Sequence, residues 1–500
     1  MDGKVATLAE LGLTAQGGRE ARLTGLSVDS REVRPGHLFA ALPGSVSHGA
    51  GFVETALEGG AAAILTDADG ARIAASALSS SSAALIIAEE PRQALAHAAA
   101  LWFGPAPGTL VAVTGTNGKT SVSTFARQIW TALGHRAVNL GTTGVEGAWT
   151  HPLKHTTPEP ITLHRALARA AREGVTHVAM EASSHGLDQH RLDGVVPAAA
   201  GFTNFTQDHL DYHQSFEAYF EAKLALFDRV LPEEGVVAVN LDDTKGAEIA
   251  RRCAARGQEV IGVGHAEGAR LRLLAQRFES TGQELRFAWQ GMARMCRLDL
   301  VGGFQAENVL LAAALVIGAG EDPDDVFRAL PELTTVRGRM QLAARRDNGA
   351  TVFVDYAHTP DAVETALKAL RPHVMGRIVA IIGAGGDRDR GKRPLMGAAA
   401  AHHADAVIVT DDNPRSEDAG SIRAAVLEGA RGVIGGAESV TETGDRAEAI
   451  LRGVDALGPG DALLICGKGH ETGQIVGDDV LPFDDAEQAS VAVAALEGHA

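Results

Sequence analysis

The stretch TLVAVTGTNGKTSVSTFARQIWTAL, residues 109–133, places an apolar run, a glycine-containing turn and a helical pattern in immediate succession. Glycines let backbone N–H groups converge on phosphate oxygens, and the N-terminus of the following helix adds a partial positive charge. We expect Lys119 to reach the β- and γ-phosphates of a nucleotide and the Thr120 hydroxyl to ligate Mg²⁺. Val113 stands where the usual GxxxxGKS/T pattern has its first glycine, so this loop is a shortened variant.

A glycine turn with a solvated lysine is the alternative interpretation of this stretch. It is disfavoured because strand, loop, GKT and helix occur in the required order. The predicted ATP-binding loop comprises Gly115, Thr116, Asn117, Gly118, Lys119, Thr120 and Ser121.

Strand-like runs alternate with helical patterns around this loop and again from about residue 337. Such alternation predicts an α/β fold with parallel sheets covered by helices on both faces. Polar, chemically capable residues follow the apolar runs LVAVT, HVAME and AAGFTN, and later VFVDYA, IVAIIG, VIVT and LLICG. Ligands of parallel sheets bind beyond the carboxyl ends of the strands. We therefore expect two facing crevices that share one active site.

The chain length and one linker predict three domains. At roughly 100–200 residues per domain, 500 residues correspond to about three. The segment GPAPG, residues 104–108, reads as a linker because its prolines and glycines sustain neither helix nor strand. The predicted domains span residues 1–105, 106–336 and 337–500, with a P-loop ATPase in the middle and a Rossmann-like domain at the end.

Charge and composition exclude several classes of protein. Lys plus Arg total 45 against 63 Asp plus Glu, a net charge of −18, which argues against a nucleic-acid binder or an anionic-membrane binder. Three distant cysteines support neither a zinc site nor a disulfide framework, and we expect reduced thiols. Without a signal peptide pattern or a bilayer-length apolar run, a soluble cytoplasmic protein is expected.

Glu181 and His209 are candidate metal ligands besides Thr120. Glu181 ends the apolar run HVAME, and His209 lies in QDHLDYH. Taken alone, Glu181 would be interpreted as a helix-capping acid and His209 as a hydrogen-bonded histidine. A phosphate loop in the same chain favours the metal interpretation, because ATP chemistry needs cations to neutralise the phosphates.

Nine motifs in order resemble the Mur ligases of peptidoglycan synthesis, and most closely their diaminopimelate-adding members. The resemblance extends from about Ser27 to Glu471. The motifs are GTNGKT, MEASSHGLDQHR, FTNFTQDHLDYH, FEAYFEAKLALF, GRMQ, VDYAHTPDA, GAGGDRDRGKRPLMG, DDNPRSE and GKGHE.

The resemblance implies an N-terminal domain that holds a UDP-sugar, a central ATPase and a C-terminal domain that receives an amino acid. It implies that Lys223 is carbamylated and helps to hold a second Mg²⁺. Lys119, Lys223, Glu181 and His209 are the expected catalytic residues, and the last three with Thr120 the expected metal ligands. The implied contacts to UDP-MurNAc-L-Ala-D-Glu are Val28, Ser30, Ser45, Val46, Ser47, Thr156, Thr157, Ser183, Ser184, Gln189 and Arg191. Further candidates for nucleotide contact are Asn308, Arg339, Asp355 and His358.

The sequence departs from the family pattern at three places. Residues 45–47 match weakly, His155 stands where an Asn is frequent, and Ser121 where a Thr is common. The first departure affects the expected uridine contacts most directly.

The motif DDNPRSE predicts the incoming amino acid. Diaminopimelate has a distal carboxylate, which Arg415 and Arg388 can each bind bidentately, and a distal ammonium, which Glu471 can accept. Lysine lacks that carboxylate and would leave Arg415 unpaired. The predicted diaminopimelate site comprises Arg388, Asp412, Asn413, Pro414, Arg415, Gly467 and Glu471.

The expected reaction is an ATP-dependent amide ligation through an acyl phosphate, carried out by a monomer with Mg²⁺. The alternatives are a ligase that adds L-lysine, a folylpolyglutamate synthase, and a nucleotide-binding scaffold without catalysis. DNPR argues against the first, the N-terminal SVDSR block against the second, and the set of intact polar residues against the third.

Overall fold

The computed structural model describes residues 4–44, 47–206 and 212–498. The chain forms two compact units. The first contains residues 1–263 and 311–326, and the second contains residues 264–310 and 327–500. Mixed α/β structure with mainly parallel sheets confirms the predicted fold class.

The first unit begins with a small parallel sheet. Its strands, in spatial order, are Gly25–Ser27, His37–Ala40, Ala63–Thr66 and Ala84–Ile87. The helices of this region are Val53–Glu58, Ala68–Ile73, Ala75–Ser79 and Pro91–Phe103. The last of these packs against Pro160–Arg172, so this small sheet and the following one share apolar contacts.

The second sheet of the first unit carries the phosphate loop. Its strands, in spatial order, are Val260–Gly264, Val236–Asn240, Ala199–Phe202, Thr109–Thr114, His177–Glu181, Ala137–Gly141 and Gly144–Gly147. All neighbours are parallel except the last pair. The residues between the ends of the strands Thr109–Thr114 and His177–Glu181, and all of Ala199–Phe202, are apolar and buried, as expected for strands covered on both faces. The helices of this region are Lys119–Ala132, Pro160–Arg172, Ser184–Asp188, Phe216–Ala225 and Thr244–Ala255.

The second unit opens with an antiparallel meander that the sequence analysis did not predict. Its strands are Leu271–Glu279, Gly282–Trp289 and Met292–Leu298. The alternation of strand and helix expected in the predicted middle domain, residues 106–336, is therefore interrupted after residue 264. Short turns between these strands connect antiparallel neighbours directly, whereas parallel strands require a longer crossover.

A six-stranded sheet forms the rest of the second unit. Its spatial order is Gln341–Arg345, Thr351–Asp355, Ala462–Cys466, Ile378–Ile382, Ala406–Val409 and Ser439–Glu442. Only the first strand is antiparallel to its neighbour. The main helices are Pro360–Leu370, Lys392–His403, Ala419–Arg431, Arg446–Asp455 and Asp485–Glu497. A hairpin, Gly473–Val476 with Asp479–Pro482, follows the last parallel strand.

These sheets fall inside the three segments that the sequence analysis proposed as domains, which remain a prediction. Among the described residues, no helix is both long and apolar enough to cross a bilayer. All three cysteines are free thiols, with Cys253 and Cys466 buried. Burial raises the pKa of Cys253 to about 11, so this thiol is unreactive at neutral pH.

Candidate active site

The phosphate loop joins the strand Thr109–Thr114 to the helix Lys119–Ala132, as the sequence predicts. Gly115 has a φ of +142° and Gly118 a φ of +88°, conformations that L side chains rarely adopt. A Cβ at Gly115 would also lie 1.8 Å from Oγ1 of Thr203. Glycine is therefore required at these two positions for the loop to adopt this conformation, in which its backbone can approach a ligand.

Lys119 and Lys223 both point at the carbonyl groups of this loop. Nζ of Lys119 donates to O of Gly115 at 2.9 Å and to O of Thr116 at 2.8 Å. Nζ of Lys223 donates to the same Gly115 oxygen at 2.8 Å. Lys223 is only 1% exposed, and its ammonium lies 4.3 Å from the centre of the Tyr219 ring. The structure thus brings together both lysines that the sequence analysis selected.

Glu181 lies at the carboxyl end of its strand with both carboxylate oxygens engaged. Oε2 accepts from Oγ1 of Thr120 at 3.1 Å and from Oγ1 of Thr142 at 3.1 Å, while Oε1 accepts from N of Thr142 at 2.8 Å. The side chain is 1% exposed, and a Cβ at Gly141 would lie 2.0 Å from Oε1. Carboxylate and hydroxyl oxygens are hard donors of the kind Mg²⁺ takes, so the residues present fit the predicted cation. His209 lies outside the described residues.

A second polar cluster adjoins Glu181. Oγ1 of Thr157 donates to O of Glu181 at 2.9 Å and accepts from N of Ser183 at 3.0 Å. Oγ1 of Thr156 lies 3.0 Å from Oγ1 of Thr142. Ser183 caps the helix Ser184–Asp188, and the buried hydroxyl of Ser184 has no hydrogen-bond partner among the described residues. The structure therefore joins this part of the predicted sugar-nucleotide site to the metal-ligand candidates.

Arg191 extends the cluster, and it lies near Arg92, which the sequence analysis missed. Its guanidinium donates to O of Thr157 at 2.6 Å and to Oε1 of Gln189 at 2.8 Å. Partial burial lowers the pKa of Arg191, and the neighbouring Arg92 lowers it further. Burial lowers the pKa of Arg92 as well. Two adjacent half-buried cations favour an anionic ligand.

The other predicted contacts to the sugar nucleotide belong to the N-terminal region, around the small parallel sheet. Val28 and Ser30 follow the strand Gly25–Ser27, and Ser30 starts a short 3₁₀ turn that Asp29 caps. Ser47 precedes the 3₁₀ turn at 49–52. Ser45 and Val46 lie outside the described residues. No contact recorded among the described residues joins this group to Glu181.

In the second unit, three of the further nucleotide candidates converge. The guanidinium of Arg339 lies 4.5 Å from the centre of the Tyr356 ring, and the imidazole of His358 lies 4.4 Å from the same ring. Oδ2 of Asp355 accepts from N of Met340 at 2.7 Å. Burial raises the pKa of Asp355, and Arg339 opposes that rise. An aromatic ring beside a cation and a carboxyl group is suited to a base or ribose.

Asn308 is the fourth such candidate, and it is not part of that group. It lies in the helix Phe304–Gly318, where its Nδ2 donates to Oε1 of Gln305 at 3.2 Å.

The DNPR loop forms a connected network with the GKGHE segment. Nδ2 of Asn413 donates to Oε2 of Glu471 at 2.8 Å, and Oδ1 of Asn413 accepts from Nζ of Lys468 at 3.1 Å. Lys468 also lies 3.3 Å from Oε2 of Glu471 and is fully buried. Sequence analysis quoted GKGHE but did not single out Lys468, because a lysine beside glycines gives no signal of burial.

Arg415 is held in a strained conformation. Its φ is +52°, in the left-handed region that non-glycine residues seldom occupy. Its N donates to O of Ile475 at 3.0 Å, its O accepts from N of Gly477 at 2.8 Å, and Nη1 donates to O of Gly386 at 2.7 Å. Backbone strain of this kind clusters at ligand sites. The remaining guanidinium nitrogens can face a carboxylate.

The other members of the predicted amino-acid site have different roles in the structure. Asp412 is buried, its Oδ1 accepts from N of Asn413 at 2.7 Å, and a Cβ at Gly467 would lie 2.4 Å from its Oδ2. Asp412 thus orders the loop, and Glu471 is the more exposed carboxylate. Arg388 is exposed and donates to O of Asp387 at 3.2 Å. Pro414 is buried within the loop.

Three family models match the chain in order. They are "Mur ligase family, catalytic domain" over residues 22–102, "Mur ligase middle domain" over 113–316, and "Mur ligase, glutamate ligase domain" over 338–469.

Curated relatives extend the match to nearly the whole chain. A UDP-N-acetylmuramoyl-L-alanyl-D-glutamate–2,6-diaminopimelate ligase from Caulobacter vibrioides is 49% identical over 483 residues, which is 95% of this chain and 96% of that protein. The protein of the same name from Bradyrhizobium diazoefficiens is 48% identical over 478 residues, which is 94% and 95% of the two chains.

Solved structures give the same result for the fold. A structure with that ligase name has a TM-score of 0.71 and 32% identity, covering 99% of this chain and 100% of the other. The MurF ligase from Thermotoga maritima in complex with ADP has a TM-score of 0.60 at 18% identity, covering 95% of this chain and 98% of the other. At 18% identity, the similarity to the MurF ligase concerns the fold only.

A phosphate loop between a central parallel strand and a helix defines a nucleotide-binding protein of the P-loop class. Together with relatives of nearly 50% identity over almost full length, these features place the chain in one family: it belongs to the Mur ligases.

Replacing Thr120 with Val tests the cation site. Valine keeps the shape and removes the hydroxyl that bonds to Glu181. We expect the Mg²⁺-dependent part of ATP affinity to fall by about tenfold, the range seen when a supporting oxygen is removed from a metal site. Equilibrium dialysis with ATP, with and without Mg²⁺, measures it.

Ser123→Ala is the matched control for Thr120→Val. Ser123 lies one turn further along the same helix, is buried, and donates to O of Thr120 at 3.1 Å. Equal losses in both variants, or a loss that persists in the absence of Mg²⁺, would contradict the assignment of Thr120.

Proposed function

We propose that this chain is an ATP-dependent ligase that joins meso-2,6-diaminopimelate to the D-Glu γ-carboxylate of UDP-MurNAc-L-Ala-D-Glu in peptidoglycan precursor synthesis. The names and identities of the relatives support this function. The single structural observation that carries the proposal is the network in which Arg415 and Glu471 are held on one loop system.

The chemistry of that network favours diaminopimelate over lysine. Glu471 accepts two hydrogen bonds yet keeps a third of its side-chain surface exposed, so it can also accept an ammonium group. Arg415 uses one nitrogen for Gly386 and offers the others to a carboxylate. Lysine has no distal carboxylate and would leave that guanidinium without its partner, at a cost of about 1.5–3 kcal/mol.

The proposed ligand contacts are those of the sequence analysis, with two additions. Arg92 joins Arg191 as a cation for the acidic sugar nucleotide, because Arg92 lies close enough to lower the pKa of Arg191. Lys468 joins the amino-acid site as a residue that positions Glu471. ATP is assigned to the loop of residues 115–121 and to Asn308, Arg339, Asp355 and His358.

The proposed reaction has two steps. The D-Glu γ-carboxylate attacks the γ-phosphorus of ATP, and ADP leaves as an acyl phosphate forms. An uncharged amine of diaminopimelate then attacks the acyl carbon, the C–O bond to phosphate breaks, and the nitrogen loses a proton. Lys119, held beside the loop by two carbonyl groups, stabilises charge on the transferred phosphoryl group.

Thr120, Glu181, His209 and Lys223 are the proposed ligands of Mg²⁺, with Lys223 acting as a carbamate. The cation supplies neutralisation of phosphate charge when bound. A buried ammonium is costly, and conversion of Lys223 to a carbamate would replace a cation with an oxygen ligand. We propose a cytoplasmic monomer with domains 1–105, 106–336 and 337–500.

Phosphate release tests the proposed reaction directly. With ATP, Mg²⁺ and UDP-MurNAc-L-Ala-D-Glu, we expect release that depends on diaminopimelate and is far slower with lysine or ornithine. Lys119→Ala is expected to abolish release while circular dichroism stays unchanged. Comparable rates with lysine would overturn the assigned amino acid, and full activity of Lys119→Ala would overturn the assigned loop.

Arg415→Ala is expected to raise the KM for diaminopimelate by about 10- to 100-fold, the equivalent of one lost charge-assisted pair, and to leave the KM for ATP almost unchanged. Arg390→Ala is the control, because Arg390 is exposed nearby and pairs only with Glu417 among the described residues. Equal increases in both KM values would contradict the assigned role of Arg415.

Lys468→Met is expected to raise the KM for diaminopimelate by about tenfold, since Glu471 and Asn413 lose a shared buried donor. Lys368→Met, an exposed helix position in the same unit, serves as the control. If the KM for ATP and the melting temperature change while the KM for diaminopimelate does not, Lys468 has only a structural role.

A further inference from the structure

Two histidines and a glutamate from three separate segments lie together at the amino-terminal edge of the central sheet. His135 follows the helix Lys119–Ala132, His177 begins the strand His177–Glu181, and Glu321 follows the helix Phe304–Gly318. One ligand atom from each lies within 4.8 Å of the other two. Nε2 of His135 is 2.9 Å from Oε1 of Glu321, and Nε2 of His177 is 3.8 Å from the same oxygen.

The local structure turns the imidazole of His177 toward this point. N of Thr176 and N of His177 both donate to O of Arg136, which ties the start of the strand to the segment that carries His135. Oγ1 of Thr176 lies 2.8 Å from Nδ1 of His177, so Nε2 is the nitrogen that faces Glu321. The His177 ring also packs between Trp130 and His135, at centroid distances of 5.0 and 4.1 Å.

We propose that His135, His177 and Glu321 form a binding site for Zn²⁺ or a chemically similar transition-metal ion. Two imidazoles and one carboxylate are a common three-residue ligand set for zinc, with water in the fourth position. Tetrahedral ligands at bonds of 2.0–2.1 Å lie about 3.3 Å apart, so the observed separations need only small side-chain rotations. The hydrogen bond from Thr176 to the other ring nitrogen is the usual support of a metal-bound histidine.

The three side chains are partly exposed to solvent, so a cation can reach them without unfolding of the hydrophobic core. The side chains of His135, His177 and Glu321 are 34%, 12% and 23% exposed. Two of the three ligands here are nitrogens, whereas most of the ligands proposed around Glu181 are oxygens. Because Mg²⁺ prefers oxygen donors, the two sites differ in selectivity.

The two sites also differ in place. His177 and Glu181 are the first and last residues of one strand, which separates them by about 13 Å at roughly 3.3 Å per residue. The bound ion would therefore cross-link three chain segments below the sheet, away from the phosphate loop. Such a link stabilises the folded chain because only the folded chain holds the three ligands together.

Cobalt titration of the full chain tests the proposal. In the presence of excess Mg²⁺ to occupy oxygen sites, Co²⁺ is expected to bind once per chain at high affinity and to develop the intense visible absorption of a tetrahedral, nitrogen-ligated ion. Zn²⁺ should abolish that absorption by displacement, and should raise the melting temperature of the metal-free protein.

Three variants separate a metal site from a simple ion pair. His177→Ala and Glu321→Gln should each weaken Co²⁺ binding by more than about tenfold and remove the thermal shift by Zn²⁺. His151→Ala, an exposed histidine stacked on Trp149, should retain both. Glu321→Gln changes one atom, so it keeps the test valid if His177→Ala folds poorly. Absence of the absorption, or equal binding by all variants, would show an ion pair only and overturn the proposal.

Discussion

The buried carboxylate of Glu181 is the constraint on which the nucleotide end of the central sheet depends. An unpaired charge at 1% exposure would be prohibitively costly, so every one of its bonds restricts a neighbour. The bonds from Thr120 fix the start of the phosphate-loop helix, and those from Thr142 fix the loop after the adjacent strand. The Glu181 carbonyl fixes Thr157 in turn. One residue thus connects the phosphate-loop helix, the loop after the strand Ala137–Gly141 and the segment that carries Thr157.

Close packing at this end of the sheet explains why two neighbouring positions are glycine. A Cβ at Gly141 would overlap the carboxylate, and one at Gly115 would overlap Thr203. These glycines leave room for polar side chains at the end of the sheet, where the partial charges of the helix N-terminus and the hydroxyl groups meet. The oxygen donors around Glu181 are consequently arranged before any ligand binds. Electrostatic stabilisation of phosphoryl transfer is most effective when its groups need no rearrangement.

Local patterns made much of this predictable from the sequence. The strand, the glycines and GKT lie within a dozen residues, and the strand Thr109–Thr114 and the helix Lys119–Ala132 form where predicted. Thr142 and Arg92 were missed because their roles arise from contacts between segments distant in sequence. The meander after residue 264 was missed because its register depends on pairing between strands and not on the helix-strand alternation that preceded it.

The DNPR loop, residues 412–415, shows what a sequence motif predicts about a site and what it does not predict. DNPR drew attention to a loop rich in polar contacts, and the sequence analysis placed both Asp412 and Glu471 in the predicted diaminopimelate site. In the structure Asp412 is buried and bonds its own loop, whereas Glu471 remains partly exposed. Lys468 is fully buried and bonds to both Asn413 and Glu471. Lys468 bonds to Oε2 of Glu471 from the buried side and leaves the exposed part of the carboxylate for a ligand. The proposed specificity of this site therefore depends in part on a buried lysine of the GKGHE segment, which the DNPR motif does not reveal.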